Sequence, residues 1–228
     1  MISKIPKVLV VVVYTDYKEY CKFLYPAMFE RLTYPNKELC LITDQELPGL
    51  SELPTGELIA ARGRQYGIEK ALEGNFDYIL QLDYDVEPPV DTIEKLLFPS
   101  VPLIGGAVAS RSDANSFIGH NYSNREKLTR RSISYGKVGI VETTDGVAGG
   151  CLLISRDIFK EVDYKKYKGP DTIPGRFTAD DEFFQIEVYN KLGIIPKCSF
   201  YVRPWHYHDD GWAYRLWGEK KYWRSEHL

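Results

Sequence analysis

The run Val8-Leu9-Val10-Val11-Val12-Val13 constrains this 228-residue chain more than any other stretch. A strand with one face in water alternates apolar and polar side chains. A continuous, mostly β-branched run has no face to give to water, so it reads as a central strand buried on both sides, as parallel sheets covered by helices require.

The residues beyond Val13 support that reading. Residues 19–31 are expected to be helical, with Phe23 and Ala27, and Leu24 and Met28, recurring at i, i+4. Leu39-Cys40-Leu41-Ile42 reads as a second strand ending at Thr43-Asp44, followed by a polar loop over 45–56. Leu58-Ile59-Ala60 reads as a weaker third strand, and 65–73 as a helix closed by Gly74. Tyr78-Ile79-Leu80-Gln81-Leu82 is the next strand. This alternation predicts a doubly wound α/β sheet, mainly parallel and flanked by helices. Ligands of such sheets bind at the carboxyl ends of the strands. Asp16, Asp44, Asp83 and Asp85 all fall just past such ends.

The second half is less regular. A short helix is expected over 92–97, a strand over 103–108 and another over 138–141. Residues 111–135, rich in Ser, Asn and Arg, read as a long loop, a feature that often serves as a lid or binding loop. Residues 146–155 turn from Gly-rich to apolar. A helix over 181–192 carries Phe184, Val188 and Leu192 on one face and stops at Gly193. A late strand over 198–202 leads to Pro204-Trp205-His206-Tyr207-His208, and 211–228 reads as an aromatic, basic tail. No internal repeat or linker divides the chain, so a single domain is expected.

Asp83-Tyr84-Asp85 is the most telling local motif. In extended backbone, residues i and i+2 point the same way, so the two carboxylates can face one ion while Tyr84 turns aside. Mg²⁺ prefers oxygen ligands, keeps several waters and bridges to phosphates. Two strand-end aspartates also serve simply to cap a turn before Pro88-Pro89.

The totals narrow the classes. A net charge of -3 does not favour nucleic acid as a partner. Seventeen Tyr and four Trp suit carbohydrate or base stacking but also occur without a ligand. Cys21, Cys40, Cys151 and Cys198 are widely spaced and read as buried free thiols. The apolar run at 8–13 is far shorter than the roughly 20 residues that span a bilayer, and no signal peptide is evident, so a cytoplasmic protein is expected. Peripheral membrane contact through the C-terminus stays open.

Three further groups carry two readings each. Asp180-Asp181-Glu182 opens a helix: acids there cap amides and favour the helix dipole, or one of them serves as a general base. His206 and His208 share one side of an extended segment, as metal ligands or as surface residues. Arg62-Gly63-Arg64, beside an expected helix start, suits a phosphate or is a solvated turn. Gly146-Val147-Ala148-Gly149-Gly150 permits close approach of a ligand or another backbone, and lacks the Lys-Ser or Lys-Thr of a phosphate loop.

Taken in order, these segments resemble a family. Val8 to Asp16, Leu39 to Asp44, Arg62 to Ala71 and Phe76 to Val86 look like the nucleotide-sugar half of a GT-A fold glycosyltransferase. The chain is most similar to the large inverting family that includes cellulose and chitin synthases. Gly146 to Arg156 resembles that fold's acceptor-side segment, Asp180-Asp181-Glu182-Phe183-Phe184 the acidic motif opening its acceptor helix, and His206 its C-terminal metal-binding histidine. The resemblance spans residues 7–208 and divides the chain into a donor half over 1–100, an acceptor half over 101–210 and a tail.

The resemblance implies a metal-dependent transfer of a sugar from a UDP- or GDP-sugar to a hydroxyl of a carbohydrate, lipid or protein acceptor. Asp85, with Asp83, would bind Mn²⁺ or Mg²⁺, completed by His206 or, in its place, His208. Asp16 and Asp44 would lie on the base or ribose side, and Arg62 near the diphosphate. Gly149, Gly150 and Asp180 would line the acceptor side. Asp181 would be the general base, with Glu182 as the fallback because three successive acids leave the register open. The resemblance to an inverting family implies transfer with inversion, although retaining enzymes share this fold. The alternatives are a haloacid-dehalogenase-type phosphatase, a sugar-1-phosphate nucleotidyltransferase and a non-catalytic carbohydrate-binding protein of the same fold. The strand carrying the aspartates comes late for the first, and no basic Gly-rich loop comes after Val13 for the second.

Overall fold

The computed structural model describes residues 5–14, 24–110, 118–124, 129–131 and 141–223. In chain order the elements are β1 (Val8–Val13), α1 (Ala27–Arg31), β2 (Lys37–Ile42), α2 (Gly56–Glu73), β3 (Tyr78–Asp83), β4 (Val86–Glu87), α3 (Thr92–Leu97), β5 (Leu103–Gly106), β6 (Gly119–Asn124), β7 (Thr129–Arg131), β8 (Val141–Thr143), β9 (Gly146–Val147) and β10 (Cys151–Ser155). They continue with α4 (Arg156–Phe159), α5 (Asp180–Leu192), β11 (Lys197–Ser199), β12 (Trp205–Tyr207), β13 (Trp212–Arg215) and β14 (Glu219–Tyr222).

The central sheet has seven strands in the order β2-β1-β3-β10-β5-β11-β8. Strands β2, β1, β3, β5 and β11 run one way, and β10 and β8 run the other. The fold is therefore mixed α/β with a mainly parallel central sheet flanked by helices, as the sequence implies. β1 explains why. Leu9 and Val11 join the core with Ile59 and Ile68 of α2 and Phe183, Phe184 and Val188 of α5. Val8, Val10 and Val12 join the opposite core with Met28 of α1 and Ile93 and Leu96 of α3. One run thus feeds two apolar layers, and each such side chain contributes roughly 1.5–3 kcal/mol on burial.

Helix α2 corrects the sequence reading. Leu58-Ile59-Ala60 is not a strand but part of the opening turns of this helix, which Thr55 caps by accepting from the Leu58 amide at 3.2 Å. The helix begins at Gly56, not at 65. Gly63, which reads locally as a break, lies in its interior. A Cβ on Gly63 would come within 2.6 Å of Val13, and one on Gly67 within 2.6 Å of Val11. A glycine in a helix interior costs about 1 kcal/mol against alanine. Here the two glycines let the helix backbone settle directly on β1.

Other boundaries shift as well. Within the 111–135 stretch expected to be a loop, β6 and β7 pair as an antiparallel hairpin, and β6 also pairs with β9. The late strand covers 197–199 rather than 198–202. Residues 212–222 are no tail: β13 and β14 extend a second sheet of order β14-β13-β12-β4. Helix α5 ends as expected, with Gly193 at φ +67°. Cys151 and Cys198 are buried and Cys40 is half-buried; burial pushes the Cys151 thiol up to about 12. The expected helical stretch over 19–23, with Cys21, and most of the expected strand over 138–141 lie outside the described residues. No helix among the described residues is long and apolar enough to cross a membrane.

Candidate active site

The strand register brings the candidate residues to one edge. Val13 lies level with Ile42 of β2 and with Asp83 of β3, so the carboxyl ends of three parallel strands align. β10 enters the same edge from the opposite direction, and the Asp83 amide donates to the Gly150 carbonyl at 3.1 Å. The Gly149-Gly150 turn, the start of α5 and the link from β3 to β4 all meet here.

Arg64 organises the first part of the site. Its guanidinium donates to Asp180 Oδ2 at 2.6 Å and to Asp83 Oδ1 at 2.7 Å, almost wholly buried. It thereby ties the aspartate motif of β3 to the acidic start of α5, which lies far along the chain. Burial pushes the Asp180 carboxyl up to about 7 against the pull of Arg64, and the Asp181 and Asp83 carboxylates add to the rise. The glycines fit tightly around this cluster. A Cβ on Gly149 would lie 2.6 Å from Asp181 Cβ and 2.8 Å from Arg64, and one on Gly150 would lie 2.9 Å from Asp83 Oδ2.

The three acids of α5 have separate environments. Asp181, half-buried, accepts from the Gly149 amide at 2.6 Å and from the Glu182 amide at 2.8 Å. Glu182 is buried against Arg176 at 2.5 Å, with His120 Nε2 at 3.3 Å. Asp180 belongs to Arg64. Asp181 is therefore the one of the three that faces the turn between β9 and β10 without a guanidinium on it among the contacts described.

The second part surrounds Asp85. β3 ends at Asp83, and Tyr84 and Asp85 form the turn into β4, so the two aspartates do not share one extended strand as the motif suggests. Tyr84 does turn aside, packing on Tyr14 and Tyr25 at centroid distances of 4.4 and 5.5 Å. Asp85 is fully buried, and its Oδ2 faces His206 Nε2 at 3.5 Å. His206, 4 % exposed, sits on β12, held beside Asp85 because the Tyr207 amide donates to the Asp85 carbonyl at 2.8 Å. Its Nδ1 lies 2.9 Å from the Ala109 carbonyl, which can only accept. Nδ1 therefore carries the proton, and Nε2 is the nitrogen turned to the carboxylate. Within the second sheet Glu87 ties β4 to β12 and β14, accepting from the Tyr207 hydroxyl and from Lys221 at 2.8 Å. Burial works against the Glu87 charge, yet these donors hold its carboxyl below the usual range.

Several expected residues lie elsewhere. Arg62 is exposed on the outward side of α2, lining a pocket of about 240 Å³ with Leu58, Gln65, Tyr164 and Lys165. It is not at a helix start; Arg64, on the buried face, reaches the site instead. The signal was there: an Arg on the apolar stripe of a helix needs carboxylate partners. His208 does not join Asp85; its Nδ1 lies 2.9 Å from Asp209. Asp44 is exposed past β2, where Ser51 donates to it and holds its carboxyl low. Asp16 lies outside the described residues. Among the described residues, no three His, Cys, Asp or Glu side chains converge as a ready metal cage.

The sequence matches no protein-family model and no curated protein. Among solved structures it is similar to the crystal structure of A197 from STIV, with a TM-score of 0.58 and 12 % identity over 96 % of this chain and 94 % of that one. At that identity the likeness speaks for the shared fold alone.

Proposed function

We propose that this protein is a GT-A fold glycosyltransferase that moves a sugar from a nucleoside-diphosphate donor to an acceptor hydroxyl. The observation that carries the reading is the Asp85–His206 pair: a buried carboxylate and an imidazole nitrogen 3.5 Å apart, the imidazole oriented by a backbone carbonyl on its other nitrogen. Metal-ligating histidines are oriented in this way. The donor set fits a hard divalent cation such as Mn²⁺ or Mg²⁺, which is satisfied with one or two protein ligands and takes the remainder from water and phosphate oxygens. When bound there, such an ion would neutralise charge on a diphosphate leaving group.

The chain's own residues divide the remaining work. Asp181, fixed by the Gly149 amide, is placed to accept the proton of an attacking hydroxyl. Arg64 holds Asp83 and Asp180 and so fixes the seam between donor and acceptor sides. Asp44, just past the end of β2 and so on the same sheet edge as Asp83, suits a base or ribose contact. Release of nucleoside diphosphate from a panel of UDP- and GDP-sugars, measured with Mn²⁺ and with chelator, tests the reading. Metal-dependent release is expected. Release unaffected by chelator, or phosphate release from simple phosphomonoesters instead, would overturn it.

A further inference from the structure

The sheet that carries His206 has a second use for the same face. Directly opposed residues in an antiparallel ladder point to the same side. His206 pairs with Tyr214 and Tyr214 with Lys220, and two residues along β13 Trp212 pairs with Tyr222. These five residues share one face. The other face carries Trp205, Tyr207 and Lys221, gathered around Glu87.

The first face is aromatic, polar-rimmed and open. Tyr222 is 45 % exposed, Lys220 is exposed, and Trp212 and Tyr214 are half-buried. The Trp212 and Tyr222 rings meet at 66° with centroids 5.2 Å apart, forming a corner. Lys220 Nζ lies 4.9 Å from the Trp212 centroid, and the Tyr214 hydroxyl donates to Asp210 at 3.3 Å. With strands about 4.8 Å apart, the face runs from buried His206 outward over roughly 10 Å to β14.

We propose that this face is a saccharide platform that presents the acceptor to the site. The assignment rests on the glycosyltransferase reading. A sugar ring has an apolar C–H face that stacks on an aromatic ring and a rim of hydroxyls that need donors and acceptors. Trp212 and Tyr222 supply the first, and Lys220, Tyr214 and Asp210 the second. Aromatic side chains offer this area with little rotamer entropy to lose. The face ends at His206, so a chain lying along it leads to the candidate chemistry. Trp, Tyr and Lys also suit a lipid surface, but Asp209 and Asp210 border this face and oppose anionic headgroups.

The test is calorimetric titration of the full chain with short gluco-, chito-, manno- and galacto-oligosaccharides. At least one series binds, Trp212→Ala weakens it about tenfold or more, which is about 1.4 kcal/mol, and Trp212→Phe retains most of the affinity. That aromatic rescue separates stacking from mere folding. No binding by any series, or equal binding by Trp212→Ala, overturns the platform, as does Trp212-dependent binding to phosphatidylserine vesicles without saccharide binding. UDP and GDP binding with Mn²⁺, followed in parallel on the unaltered chain, reports on the donor reading separately. Absence of nucleotide binding beside Trp212-dependent saccharide binding leaves the platform standing and overturns the donor reading.

Discussion

Asp83 and Asp85 are two residues apart in the chain and in opposite chemical situations. Asp83 meets a guanidinium that also holds Asp180, so its charge is balanced by the protein itself. Asp85, fully buried, meets Nε2 of an imidazole whose Nδ1 is turned to the Ala109 carbonyl. The first arrangement holds elements together. The second, on the proposed reading, would hold an exchangeable cation. The two aspartates of the Asp-x-Asp motif thus have different partners, and the turn at Tyr84-Asp85 is what separates them.

The largest test of this contrast falls on the balanced half. Arg64→Met leaves Asp83 and Asp180 without their shared cation, and breaking such a buried arrangement costs about 3–5 kcal/mol. Urea unfolding should show that loss, and a change below about 1 kcal/mol would mean that Arg64 does not bind the two elements together. On the other half, His206→Gln should weaken Mn²⁺ binding at least about tenfold while leaving the urea midpoint nearly in place, since removal of groups around a metal costs at least that much.

A smaller effect concerns pH. Asp180 is raised from an ordinary 3.8 to about 7 by burial. A carboxyl raised on folding contributes stability that is full below its unfolded value and lost as pH rises through its folded value. Stability from this group should fall between about pH 4 and 7, and Asp180→Asn should flatten that slope in urea titrations. An unchanged slope would show that Asp180 stays ionised beside Arg64. Smallest of all, His208→Ala should change Mn²⁺ affinity less than about twofold, because its imidazole is turned to Asp209 and not to Asp85. A loss matching that of His206→Gln would move the ligand two residues along.

The same contrast shows what was legible in the sequence. Val8–Val13 declares itself because a run without polar alternation has one stable environment. Tyr84 turns aside as the motif suggests, and the approach of the Gly149 amide to Asp181 joins two segments that the resemblance sets on the acceptor side. The start of α2 does not declare itself, because Leu58-Ile59-Ala60 is too short to show a period and Gly63 imitates a stop. Its true reason, close contact with Val13, is a tertiary fact. The choice of Arg64 over Arg62 depended on that same helix, since only the helical phase turns one inward and the other out. The pairing of His206 with Asp85 depended on a β4–β12 ladder between residues about 120 apart, which no local pattern encodes.

The most direct test of the central claim is calorimetric titration of Mn²⁺ into the unaltered chain and into Asp85→Asn, each with UDP or GDP present. The account predicts saturable Mn²⁺ binding that strengthens with nucleotide and falls at least about 100-fold in Asp85→Asn. Equal Mn²⁺ binding by both proteins, or none by the unaltered chain, would contradict it.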